Sequence, residues 1–161
     1  RDSFFSSCNG WVASMNIYVS PSVLDIASLQ SAIPRDDSVG AVASFTGLMR
    51  NVNEGQAVTA MFLDHYAGMT ESVLSGLVAK AQARWPISSG VLAHRVGAVE
   101  VGDILVYVEV RTMHRQDAFD ACNFIMDMLK TEAPFWKKEL TDKGERWVDA
   151  RQSDTDALSK W

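Results

Sequence analysis

The stretch from about Arg115 to Thr131 places Ala118, Ala121, Cys122, Ile125 and Leu129 at i, i+3, i+4, i+7 and i+11, and Ala133-Pro134 follows directly. Apolar residues at that spacing form one stripe of an α-helix, and a residue before proline is driven out of the helical region, so the segment predicts a helix with one buried face and a sharp stop. A buried face requires a second layer. Extended segments flank the helix on both sides: Val91 to Val96 and Ile104 to Thr112 alternate as strands around the turn Glu100-Val101-Gly102-Asp103, while Phe135 to Leu140 and Glu145 to Val148 read as closing strands around a turn at Thr141 to Gly144.

The upstream half repeats the theme. Asn16 to Val19 alternates as a short strand, Val23 to Ala32 suits a short helix, and Ile33 to Asp37 reads as a loop. Gly40 to Thr46 and Val58 to His65 are strand-like, joined by the turn-rich stretch Gly47 to Gln56, and are expected to pair as a hairpin with a long polar connection. Thr70 is the expected cap of a second main helix, in which Val73, Leu74, Leu77, Val78, Ala81 and Trp85 share a face until Pro86 stops it. Two helices among antiparallel-leaning strands give an α+β domain with a mixed or antiparallel sheet.

The chain has 161 residues, 47% of them hydrophobic, which suits one core. With no low-complexity linker or repeat, a single domain over residues 15–151 is expected, after an extension of low order at 1–14 with Met15 as a candidate start, and before a C-terminal tail at 152–161. A net charge of -5 removes the overall basic field of a non-specific nucleic-acid binder. The apolar run from Val101 to Val110 is broken by Asp103 and Glu109 and falls short of the ~20 residues that cross a bilayer. Cys8 and Cys122 are too far apart for a CxxC motif and the three histidines show no HExxH spacing, so no metal or cofactor is expected, and the setting is read as reduced and cytoplasmic.

Thiol chemistry is not expected of Cys122, because it lies on the apolar stripe, and Ser44 and Thr46 lack the G-x-S-x-G turn of a serine nucleophile. The informative residues are cations at loops and element ends: Arg50, His114-Arg115, Lys130 and Lys137-Lys138. Each has a plain structural explanation. Lys130 complements the negative end of a helix dipole, Arg115 is a first-turn surface residue, and the lysine pair is a solvated edge. Yet a helix end and a tight proline turn separate Lys130 from Lys137 and fold them toward one pocket, where two desolvated ammonium groups would each disfavour the other's charge and leave one as a neutral amine.

At these residues the sequence resembles a known family. Gly40 to Asn51 (GAVASFTGLMRN), Leu63-Asp64-His65-Tyr66 with Gly68-Met69-Thr70, His94-Arg95-Val96-Gly97 with Gly102-Asp103, His114-Arg115 with Ala118-Phe119, Ile125-Met126-Asp127 with Leu129-Lys130-Thr131, Ala133 to Glu139 (APFWKKE) and Arg146-Trp147-Val148 are together similar to the large, catalytic subunit of molybdopterin synthase, collinearly over about Gly40 to Arg151. The resemblance implies a hammerhead-like α/β arrangement with a small β-rich subdomain. It implies a sulfurtransferase that builds the dithiolene of molybdopterin on cyclic pyranopterin monophosphate. The sulfur would come from the C-terminal glycine thiocarboxylate of a small ubiquitin-like carrier subunit, within a heterotetramer of a homodimer and two carriers. By position, Lys130 and Lys137 match the family's active-site lysines, and the substrate-binding set is Arg50 with Leu48 and Met49 beside it, His114, Arg115, Lys138 and Glu139. Leu48 departs from the family, which often has lysine there. The competing expectations are a non-catalytic module in which the same cations hold a phosphorylated ligand or a partner's C-terminal carboxylate, and a single-strand nucleic-acid binder using Phe135 and Trp136, which lacks the basic groove that role needs.

Overall fold

A computed structural model describes residues 14–149 and 152–161, so the expected extension lies almost entirely outside the described residues, as does Cys8. In chain order the elements are β1 (Ser14–Ser20), α1 (Ile26–Ser31), β2 (Ala41–Leu48), β3 (Val52–Asn53), β4 (Gln56–His65), α2 (Met69–Arg84), β5 (Ile87–Arg95), β6 (Gly97–Glu100), β7 (Ile104–Thr112), α3 (Arg115–Glu132), β8 (Phe135–Thr141), β9 (Gly144–Val148) and α4 (Gln152–Ala157), followed by a 3-10 turn at Leu158–Lys160. The class is the expected mixture of helices and mixed sheets in one α+β unit.

The strands form two sheets. The first has the order β1-β5-β7-β2, with β1 parallel to β5 and the other pairs antiparallel. Its side chains alternate between two covered faces: Val106, Val108 and Val110 of β7 join Leu92 under α2 and α3, whereas Tyr107 joins Val91 and Ala93 under α1 with Leu24 and Ile33. The apolar stripe of α3 supplies Ala118, Ala121, Cys122, Ile125 and Leu129 to the larger core, as its periodicity predicts. Fully burying a side chain such as Ile125 contributes roughly 1.5 to 3 kcal/mol, so this stripe fixes α3 against the sheet. The α1 face also holds a closed polar network. Glu109, fully buried, accepts from Tyr107 Oη at 2.5 Å, Arg111 Nε at 2.6 Å and Gln30 Nε2 at 2.9 Å. Burial opposes the Glu109 charge, but these donors outweigh it and hold the carboxyl below its usual range.

The second sheet runs β3-β4-β8-β9, with β6 on the other side of β4. Here the hairpin expectation fails. β2 pairs with β7 in the first sheet, with Ser44 opposite Glu109, while β4 pairs with β8, with Phe62 opposite Lys138. The local hairpin is instead β3 with β4, closed by Glu54 at φ 51° and Gly55 at φ 74°, a left-handed pair that matches the twist of a two-residue turn. The segment after Val96 is a further addition: Gly97, at φ 78°, carries the chain out of the first sheet, and β6 pairs with β4 in the second.

One helix end also differs from expectation. Gly68 rather than Thr70 caps α2, and its N–H donates to the Glu71 carboxylate at 2.6 Å. Thr70 is buried and donates its hydroxyl to the Tyr66 carbonyl at 2.9 Å. Within the C-terminal stretch, the Trp161 indole stands edge-on to Trp85 at 5.6 Å and Phe124 at 5.5 Å and donates Nε1 to Asp127 at 2.8 Å. Among the described residues no helix is long and apolar enough to cross a membrane.

Candidate active site

Three elements converge where the two sheets meet. β2 ends in a bulge at Gly47/Leu48, and the chain turns away with Met49 buried and pinned on both sides: its N–H donates to the Asp103 carbonyl at 2.9 Å and its carbonyl accepts from Gly102 N–H at 2.9 Å. That anchor fixes the start of the loop carrying Arg50. The last turn of α3 carries Lys130, and Ala133-Pro134 reverses the chain into β8, where Phe135, Lys137 and Glu139 alternate onto one face. These surfaces enclose a cavity of about 720 Å³. Its floor is apolar, from Met61, Leu63, Leu105, Met126 and Phe135, and its rim carries Arg50, Lys130 and Lys137 with Leu48 and Met49 beside them.

The cavity thus gathers six of the nine residues expected from the sequence: Leu48, Met49, Arg50, Lys130, Lys137 and Glu139. Three lie elsewhere. Lys138 faces the opposite side of β8, with its ammonium 3.0 Å from Glu145 and over the Trp147 ring at 5.7 Å, because neighbouring strand residues point in opposite directions. His114 and Arg115 are exposed at the N-terminal end of α3, and fifteen residues of helix at 1.5 Å each put them about 22 Å from Lys130. Within one chain they do not meet the lysines.

The site's electrostatics differ from a dry lysine pair. Lys130 is 51% exposed and its Nζ lies 3.5 Å from Asp154 of α4, a cleft residue in the stretch expected to be a tail. Lys137 is also exposed. Glu139, by contrast, is 2% exposed, and it accepts from Asn53 Nδ2 at 2.8 Å and from Arg146 Nε at 3.0 Å and Nη2 at 2.9 Å. Its carboxylate therefore ties β8 to β3 and β9, and the Arg146 motif residue is the fork that holds it. The cleft also contains His94, whose pKa burial holds down to about 4. Cys122 is buried and its thiol is pushed up to about 11 by that burial, which removes the thiolate that catalysis would require. Among the described residues no group of three or more His, Cys, Asp or Glu side chains could hold a metal ion.

Sequence and structural comparisons converge on one family. The MoaE protein family matches residues 19–132. The molybdopterin synthase catalytic subunit of Salmonella typhimurium is 48% identical over 145 residues, covering 90% of this chain and 97% of that protein. The molybdopterin cofactor biosynthesis protein E of Burkholderia multivorans superimposes with a TM-score of 0.74 at 43% identity, covering 92% of this chain and 97% of the other. The crystal structure of molybdopterin synthase from Staphylococcus aureus gives a TM-score of 0.73 at 27% identity, over 83% of this chain and 96% of the other. With its sequence matched along most of its length and its two sheets and helices matched in space, the chain belongs to the MoaE protein family.

Proposed function

We propose that this chain is the sulfur-transferring catalytic subunit of a molybdopterin synthase, acting at the cleft between β2, α3 and β8. The observation that carries the reading is the convergence of Arg50, Lys130 and Lys137, from three separate elements, on one cavity of about 720 Å³ with an apolar floor. A cyclic phosphate on a pterin ring needs both features: guanidinium and ammonium donors for the anion, and an apolar surface for the flat ring. Among the described residues the one cysteine, Cys122, is buried with its thiol pushed up to about 11, so it is not the source of the sulfur. A small carrier subunit brings it as a C-terminal thiocarboxylate.

In the transfer, the thiocarboxylate sulfur forms a bond to the pterin side chain of cyclic pyranopterin monophosphate. The C–O ester bond from that side-chain carbon to the cyclic phosphate breaks as the C–S bond forms, which opens the ring to a phosphate monoester held by its other ester bond, and water then cleaves the carrier's acyl–sulfur bond, leaving the sulfur on the pterin and releasing the carrier as its carboxylate. Lys130 moves the proton at the reacting centre, and Lys137 orients the substrate and stabilises developing negative charge. Arg50 grips the phosphate. Glu139, already held by Arg146 and Asn53, keeps β8 in register under Lys137 rather than binding substrate itself.

His114 and Arg115 enter the site of a second copy of the chain. A helix-length separation of about 22 Å keeps them out of their own cleft, and a homodimer with a carrier at each end brings them into the neighbour's. A cytoplasmic setting suits a subunit whose described cysteine stays a free thiol.

The test is reconstitution of dithiolene product from purified chain, thiocarboxylated carrier and cyclic pyranopterin monophosphate. Mixing an inactive Arg50→Ala/His114→Ala chain with an inactive Lys130→Ala chain probes the composite arrangement. Random exchange puts about half of the dimers in the mixed state, each with one complete site, so about a quarter of wild-type activity returns. No recovery after confirmed subunit exchange overturns the shared site, and no product from the wild-type pair overturns the function.

A further inference from the structure

The cleft's cations can only donate hydrogen bonds. Its carboxylates are engaged, Glu139 by Arg146 and Asn53 and Asp154 by Lys130. A pterin, however, presents ring and amino N–H groups, and a donor buried without a partner loses binding. One lining residue equipped to answer those donors is His94, which belongs to a motif that carries the family likeness and has no part in the chemistry above.

His94 is the penultimate residue of β5 and is 7% exposed, yet it lines the cavity. Its Nδ1 lies 2.7 Å from the Arg95 carbonyl oxygen. A carbonyl only accepts, so the ring proton sits on Nδ1 and Nε2 keeps its lone pair. Among the described residues the sealed, unpartnered side-chain atoms are Ser89 Oγ and Arg95 Nε; His94 Nε2 is not one of them, and His94 lines the cleft. The ring is clamped as well as tautomer-locked, since it stacks on Phe135 at 3.9 Å between centroids and 14° between planes. Phe135 sits two residues before Lys137 on the same face of β8, so the stack relates the imidazole to the lysine. The charged or titratable groups facing the ring are Lys137 from β8 and His65 from β4. Both add to the burial that disfavours a positive imidazole, and His94 stays neutral near pH 7.

We propose that His94 is a specificity-determining residue of this site, a fixed-tautomer imidazole whose Nε2 accepts a hydrogen bond from an N–H group of the pterin ring while Lys137 and Arg50 hold its anionic end. The inference rests on the proposed function for the identity of the ligand and adds the acceptor that reads the ring.

Three variants and one spectrum test it. His94→Gln keeps an acceptor near the Nε2 position, His94→Asn keeps the donor to the Arg95 carbonyl but loses that acceptor, and His94→Phe keeps the stack alone. The expected result is a KM for cyclic pyranopterin monophosphate raised about tenfold in the Asn and Phe variants, with kcat changed far less, and returned toward wild type in Gln. In the wild-type protein, the 15N resonance of His94 Nε2 lies at the unprotonated position at pH 7 and moves when the cyclic pterin is added. An unchanged KM in Asn and Phe, or an Nε2 signal unmoved by saturating pterin, overturns the proposal. If a variant fails to fold, the wild-type spectrum decides. Product formation by the wild-type pair is measured separately, so a failed function is distinguished from a failed role for His94.

Discussion

Replacing Lys130 with alanine separates chemistry from folding, because the structure limits what that side chain can contribute to stability. Its charge sits in the last turn of α3, where a cation contributes about 0.3 to 1 kcal/mol against the helix dipole. Its ion pair with Asp154 is long, at 3.5 Å, and the lysine is 51% exposed, so the pair adds about 0 to 1 kcal/mol. The sum centres near 1 kcal/mol, a fall in Tm of about 2 to 4 °C for a chain of this size. A positioned proton-transfer group contributes about 10²- to 10⁴-fold to rate, so product formation should fall at least a hundredfold. The assay is single-turnover dithiolene formation with thiocarboxylated carrier in excess, run beside thermal melts and a carrier-binding titration on the same preparation. Retention of more than half of wild-type turnover refutes the assignment. So does a Tm loss large enough to account for the missing activity by unfolding.

Lys137→Ala should lose activity as severely, whereas Lys138→Ala should stay near wild type, because Lys138 faces away from the cleft toward Glu145 and Trp147; equal losses in the two would refute the facing assigned to β8. Arg146→Ala should cost about 3 kcal/mol or more in urea unfolding by leaving the Glu139 carboxylate buried without its charge partner, and Glu139→Gln in the same chain should restore part of it. His94 makes folding sensitive to acid: with a native pKa near 4 and an unfolded value near 6.5, the unfolded chain binds the proton first, so stability falls as pH drops from 6.5 toward 4, by about 3 kcal/mol at full extent. His94→Phe should flatten that slope, and a slope unchanged in equilibrium unfolding between pH 7 and pH 4.5 would show that other groups carry it. Deleting the carrier's last few residues should weaken its complex with this chain, and calorimetry showing unchanged affinity would place docking wholly outside the cleft.

What could be read in advance divides along the range of the forces involved. The stripe of α3 and its stop at Ala133-Pro134 are local, set by helical period and proline geometry, and the convergence of Lys130 with Lys137 follows from that one turn. Strand pairing is not local. Gly40 to Thr46 and Val58 to His65 look like hairpin partners because they are neighbours in sequence, but β2 is matched by β7, far along the chain, and β4 by β8 at the opposite end. β6 is four residues long, too short to show a period, and the sequence of α4, QSDTDA, has no apolar stripe, so neither announces itself. His94 illustrates the same limit at the site: the sequence marks it as part of a motif, but its tautomer depends on the next residue's carbonyl and its clamp on Phe135 of a different sheet.

The same separation of ranges explains why the site has the form it does. α3 carries Lys130 at one end and His114-Arg115 at the other, and its buried stripe locks it rigidly against the first sheet. A rigid helix of that length cannot bring its own two ends into one cavity, so cations placed at both ends serve a single substrate only if another copy of the chain supplies one set. Arg50 and Lys137 then carry no burden of closing the site alone, which accords with the exposure of Arg50, Lys130 and Lys137 at the rim of a cleft whose floor is already packed. Exposure of three like charges around an apolar pocket is costly to bury within a monomer and favourable once an anionic ligand and a carrier tail ending in a thiocarboxylate arrive together. Lys130 already has Asp154 beside it at 3.5 Å, and in the proposed assembly the anionic substrate and the carrier's thiocarboxylate add further negative charge at the rim, so assembly, rather than folding, would complete the desolvation that the proposed proton transfer requires.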